Sequence, residues 1–145
     1  MISKDIIKEC LEILEFNYDE LDNGLLAVGF FDDEGAFDYQ IVTFIEVDNE
    51  RMVSFSSRAP GYHPDGDLLE MANRHNCRCH TPCCHIDSDG EIVMDRCFVI
   101  DSEVSPQYIL ENVVSPSIHI PIGAFMNFEL SDSELEARIN SSENE

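Results

Sequence analysis

Residues that could bind a metal or carry thiol chemistry are concentrated in one stretch, HNCRCHTPCCH at positions 75–85. Thiolates and imidazoles are the common zinc ligands, and the thiolate is also the reactive form of cysteine in redox chemistry. The candidate ligands are Cys77, Cys79, Cys83 and His85. Two hypotheses follow. The stretch is either a metal or thiol site, or a β-strand that uses small sulfur-bearing side chains.

The spacing of these cysteines favours the strand. Residues i and i+2 of a regular strand lie about 6.6 Å apart, whereas two thiolates on one zinc must lie within about 4 Å of each other. Structural zinc sites usually place cysteines as C-x2-4-C on tight turns, but this stretch has a C-x-C, a C-C and no C-x-x-C. We therefore interpret 77–86 as a strand with structural thiols, and keep a thiol or metal site as the alternative.

Other signals of catalysis are weak. HIDSDGEI resembles a calcium loop, but His85 stands where the first carboxylate should be and Arg96 where the bidentate glutamate should be. His63 and His119 are isolated histidines, and the sequence has no G-x-S-x-G, P-loop or dinucleotide fingerprint. We predict a non-enzymatic protein with no catalytic or cofactor-binding residues and no cofactor.

The apolar pattern predicts an α+β fold. Residues 3–16 have helical periodicity with Ser3 as N-cap, and three runs rich in Val, Ile, Phe and Thr then predict an antiparallel meander. A turn is expected at Asp32–Gly35. Asp67 begins a short second helix, and the turn DSDG joins two further strands, with Cys84 opposite Met94 and Ile86 opposite Ile92.

The last third of the chain predicts one helix and then irregular structure. Ser105 and Pro106 are a typical helix start, whereas Pro116 and Pro121 should leave 115–130 extended or broken. Residues 1–130 should form a single domain. Residues 131–145 are acidic and polar, which indicates either a frayed helix or a disordered tail.

The charge of the chain limits its partners. Thirty Asp and Glu oppose eight Lys and Arg, a formal net charge of -22, which repels nucleic acid and anionic membranes. A basic protein or peptide would be attracted, although the charge could also serve only to keep the protein in solution. The charged amphipathic start is unlike a signal peptide, so we expect a cytoplasmic protein whose six cysteines stay reduced.

The order helix, three strands, helix, two strands, helix, together with LLEMANRHNCRCHTPCCHIDSDGEIVMDRCFVI, resembles the YbjN family of bacterial sensory transduction regulators. Asn73, Asn76, Asp87 and Gly90 match its pattern. The resemblance implies a fold like that of type III secretion chaperones, an antiparallel sheet with helices on one face in the order α-β-β-β-α-β-β-α, often dimeric and without known catalytic residues.

We therefore expect a binding or regulatory module that uses the uncovered sheet face, or a hydrophobic groove beside it, to bind a second copy, as a homodimer, or a protein or peptide client. Strands around Leu25–Phe31, Gln40–Val47 and Met52–Ser56 should form most of that face.

Overall fold

The computed structural model describes residues 2–31, 39–79, 81–100 and 102–143. The fold class is α+β, as predicted, with one antiparallel six-stranded sheet in the order β1-β2-β3-β4-β6-β5. Within these residues, no helix is long and apolar enough to cross a membrane. The strands are β1 (Tyr18–Glu20), β2 (Leu26–Phe30), β3 (Ile41–Asp48), β4 (Met52–Arg58), β5 (Cys83–Ile86) and β6 (Ile92–Val99), and the helices are α1 (Lys4–Ile13), α2 (Leu68–Arg78), α3 (Pro106–Ile109), α4 (Ser115–Met126) and α5 (Asp132–Glu143).

The predicted meander corresponds to β2, β3 and β4, but a further short strand precedes it. Tyr18 of β1 is opposite Val28 of β2, so β1 forms one edge of the sheet. The sequence does not predict β1, because its three residues, YDE, have no apolar alternation. The expected turn at Asp32–Gly35 lies outside the described residues.

The second hairpin has the predicted register. Cys84 is opposite Met94 and Ile86 is opposite Ile92. Gly90 supplies the left-handed conformation of the turn, with φ of 80°, and its N–H donates to the Asp87 carbonyl at 3.0 Å. The turn formed by DSDG therefore determines the register of β5 and β6, and the predicted register is confirmed.

The start of the first strand of this hairpin was predicted wrongly. The structure begins β5 at Cys83, whereas Cys77 lies in α2 and Cys79 is the residue after its end. Tertiary contacts extend the helix, because the ring of His75 and the side chain of Asn76 both bond to the backbone of residues 82–84. Such contacts cannot be predicted from a local sequence pattern.

The segment 115–130, expected to be extended or broken, is mostly helical. A π-helical turn, Leu110–Val114, joins α3 to α4. Pro116 is the second residue of α4 and directly follows this π-helical turn, so the helical chain continues through it. Pro121 lies inside α4 and costs about 3 kcal/mol. Burial of Ile118 and Phe125 offsets this cost, at about 1.5–3 kcal/mol for each side chain.

All the packed helices cover the same face of the sheet. Ile45 and Phe55 are opposite each other on this covered face and are buried under α1, α3 and α4. Ala72 of α2 and Phe125 of α4 cover its other half, against β5 and β6. The prediction of helices on one side is therefore confirmed. The buried side chains of the two halves are Ile2, Ile7, Cys10, Leu11, Leu26, Val28, Ile45, Val53, Phe55, Ile100, Ile109, Val113, Val114 and Ile118, and Ile41, Ala72, Cys84, Ile92, Met94, Phe125 and Phe128.

The polar C-terminal segment contains the helix α5. Ser131 and Glu134 form a capping box at its start, since the Glu134 N–H donates to Ser131 Oγ and the Ser131 N–H donates to Glu134 Oε1. Nearly all its described side chains are exposed, and Leu135 lines an apolar cavity beside α2 and α4. Local capping therefore specifies this helix more than burial does.

Candidate functional site

The candidate ligands of the cysteine-histidine stretch lie on different elements. Cys77 is on α2 and Cys79 at its end, whereas Cys83 and His85 are on β5, and the three cysteines are exposed. His80, between them, lies outside the described residues. Among the residues that the structure describes, no three His, Cys, Asp or Glu side chains are grouped so that they could hold a metal ion.

Part of this stretch has a structural role. The His75 ring is 5% exposed, and its Nε2–H donates to the Pro82 carbonyl at 2.8 Å. Asn76 Nδ2 donates to the Cys84 carbonyl at 2.9 Å, and Asn76 Oδ1 accepts from the Cys84 N–H at 2.8 Å. Burial raises the pKa of the Cys84 thiol to about 12, so this cysteine is protonated and unreactive at neutral pH.

The face of the sheet opposite the helices is uncovered by any described helix. We call it the open face; its central row runs across five strands through Ala27, Phe44, Ser56, Asp95 and Cys83. Phe44 and Ser56 are partly exposed, and Val99 on β6 is 67% exposed. The other side chains of this row are smaller than the ring of Phe44, which leaves room beside the ring for another chain to lie across the strands.

A shallow hollow of about 440 Å³ lies on this face beside β1. Phe44 and Ser56 belong to its floor, and Leu21, Asn23 and Leu25 line the side formed by the β1–β2 loop. The sequence predicts Leu25 and Phe44 near such a face, whereas Leu21 and Asn23 were not predicted there. The dipeptide Asn23–Gly24 could have revealed them, because Asn-Gly is a strong hairpin signal and Gly24 has φ of 88°.

Arg58 lines the same hollow but its charge is already compensated. Its Nη1 lies 2.7 Å from Asp87 Oδ2 and 3.3 Å from Glu91 Oε2. Asp87 Oδ1 also accepts the N–H of Glu91 at 2.9 Å, and this bond, followed by the Arg58 contact, lowers the pKa of the Asp87 carboxyl below its ordinary value. The cation therefore adds no net positive charge to the face.

Acidic side chains are distributed over the rest of the open face. Asp19, Glu46, Asp48 and Asp95 all lie on it by register. Asp95 Oδ2 is 3.3 Å from His85 Nδ1. The face thus combines an apolar centre at Phe44 with carboxylates around it.

Comparison of the chain with protein-family models, with curated proteins and with solved structures found no match. The resemblance to the YbjN family stays a prediction.

Proposed function

We propose that this protein is a non-enzymatic binding or regulatory module that uses its open face to hold a segment of another protein. The observation that carries the proposal is one-sided packing, which leaves Phe44 and the hollow beside β1 uncovered by the described helices. The sequence resemblance to the YbjN family implies a type III secretion chaperone-like fold and agrees with this role, and cytoplasmic localisation is part of the same proposal.

The expected partner is a basic segment with some apolar side chains. The formal net charge of -22 and the carboxylates of the open face attract positive charge, and the one arginine at the hollow is paired with Asp87 and Glu91. Apolar side chains of the partner would contact Phe44 and Leu25, where burial supplies most of the affinity.

A homodimer through the same face is the second arrangement, and salt distinguishes the two. Like charges oppose the approach of two copies, so added salt should strengthen a dimer and weaken the binding of a basic peptide. Sedimentation and native mass spectrometry of the reduced protein, purified without chelator, would report the oligomeric state and any bound metal together. Stoichiometric metal would revive the thiol or metal alternative at Cys77, Cys79, Cys83 and His85.

The direct test uses a synthetic peptide of four Lys-Val repeats, whose alternation suits an extended chain. We expect it to bind the protein in fluorescence anisotropy, and a Glu-Val peptide not to bind. Phe44→Ala should weaken binding by about tenfold, the equivalent of about 1.4 kcal/mol.

Leu69→Ala is the matched control, since Leu69 is an exposed apolar residue of α2 and is not part of the open face. Equal affinity for both peptides, or equal losses from the two substitutions, would show that the open face is not the binding surface.

A further inference from the structure

A half-enclosed cavity of about 230 Å³ lies between the end of α2, helix α4 and helix α5. We call it the helix cavity. Its apolar walls are formed by Pro82, Ile120, Ala124, Phe128 and Leu135. An engineered apolar cavity of about 150 Å³ is large enough to bind benzene, so this one has room for a substituted ring.

Gly123, which lines the helix cavity, is a glycine that the fold does not require. It lies in the interior of α4, where glycine is the least favourable residue after proline. Its φ is not positive, and apart from its chain neighbours and the backbone of its own helix no described atom lies within 4 Å of the position that a Cβ would occupy. Neither backbone conformation nor close packing therefore explains this residue. Its effect is to leave the cavity open.

Three polar side chains at the cavity are engaged with protein atoms. Arg78 Nε donates to Asp132 Oδ1 at 2.7 Å, and Asn127 Oδ1 accepts from Arg138 Nη1 at 2.6 Å. The Nε2–H of His75 donates to the Pro82 carbonyl. A ligand would therefore meet an apolar surface, and the overall negative charge disfavours an anion.

We propose that the helix cavity is a binding site for a small neutral aromatic molecule. The site is independent of the proposed function, because it is lined by α2, α4, α5 and Pro82, whereas the open face is the opposite surface of the sheet. Either proposal can fail while the other holds.

The test uses indole as the probe and Cys79 as the reporter. Cys79 lines the cavity and is exposed, while Cys97, also exposed, lies on the open face and serves as the internal control. Alkylation of the full-length reduced protein by iodoacetamide would be followed for each cysteine by mass spectrometry. We expect saturating indole to slow alkylation of Cys79 about fivefold or more and to leave the rate at Cys97 unchanged.

Two variants of Gly123 complete the test. Gly123→Leu, which fills the space, should abolish protection of Cys79, whereas Gly123→Ala should retain it. If Gly123→Leu does not fold, Ile120→Trp fills the cavity from another wall. The proposal is overturned if indole does not slow Cys79, slows both cysteines equally, or protects Cys79 in the filled variants. It is also overturned if Cys79 becomes protected as protein concentration rises without indole, since a second copy would then occupy the cavity.

Discussion

The side chain of Asn76 closes the free edge of strand β5, and its removal should destabilise the protein substantially. Its amide donates to the carbonyl of Cys84 at 2.9 Å and accepts the N–H of the same residue at 2.8 Å. In Asn76→Ala the N–H and the carbonyl of Cys84, a residue that is 4% exposed, both lose their hydrogen-bond partner. Each lost bond costs about 1 kcal/mol net, and an unpaired buried group costs about 1–3 kcal/mol, so the free energy of unfolding should fall by about 2–4 kcal/mol.

Urea denaturation would measure this loss directly, and the melting temperature should fall by about 3 °C per kcal/mol. Asn112→Ala is the matched control, because Asn112 makes one exposed bond, to the Tyr108 carbonyl at 3.2 Å. A difference below about 0.5 kcal/mol between the two variants, within the ordinary range for surface substitutions, would refute the edge-closing role. The Asn76 variant should also aggregate more readily, because an uncovered edge strand offers unpaired backbone groups.

Three further predictions concern charge and thiols. The interactions that lower the pKa of Asp87 stabilise the fold above the ordinary value of about 3.9, and this stabilisation is lost as the pH falls through the lower folded pKa. In Asp87→Asn the free energy of unfolding, measured with urea, should therefore fall less steeply between about pH 5 and pH 2.5. An unchanged slope would contradict this role of Asp87. Arg78→Ala removes the ion pair that holds α5 to α2 and should speed amide exchange in α5, but it should change global stability by less than about 1 kcal/mol because Asp132 is 81% exposed. Unchanged exchange in α5 would show that this ion pair does not hold the helix. In the folded protein Cys84 and Cys10 should resist alkylation at neutral pH, since burial raises the pKa of both thiols, while Cys97 reacts; labelling of Cys84 at the rate of Cys97, read by peptide mass spectrometry, would contradict its burial.

The parts of the fold that the sequence predicts well are those specified by neighbours in the chain. The β5–β6 register follows from a turn that needs glycine at position 90, and the starts of α1, α2 and α3 follow from the capping side chains Ser3, Asp67 and Ser105. In each case the decisive contact spans only a few residues. Periodicity alone also predicts strand β3, in which every second residue, Ile41, Thr43 and Ile45, is buried.

The parts that the sequence does not predict depend on distant contacts. Helix α2 reaches Arg78 because His75 bonds to the backbone of Pro82 and Asn76 to that of Cys84, and α4 tolerates Pro121 because its apolar face is buried. The sequence does not predict which residues form the open face, for the same reason. Both faces of β3 carry apolar residues, and the side on which the helices pack decides whether Phe44 is covered or exposed.

The surroundings of the two sheet edges limit how a partner can bind. A segment that adds as an extra strand needs free backbone groups at an edge. At β5 the Cys84 groups are taken by Asn76, and at β1 the side chain of Glu20 is held by Lys4 at 3.1 Å and Lys8 at 2.7 Å, which fastens α1 beside that edge. A partner of the open face would therefore be recognised across the strands by side chains. Its affinity should consequently depend on Phe44 and on salt, and should not change when residues of the partner backbone are N-methylated.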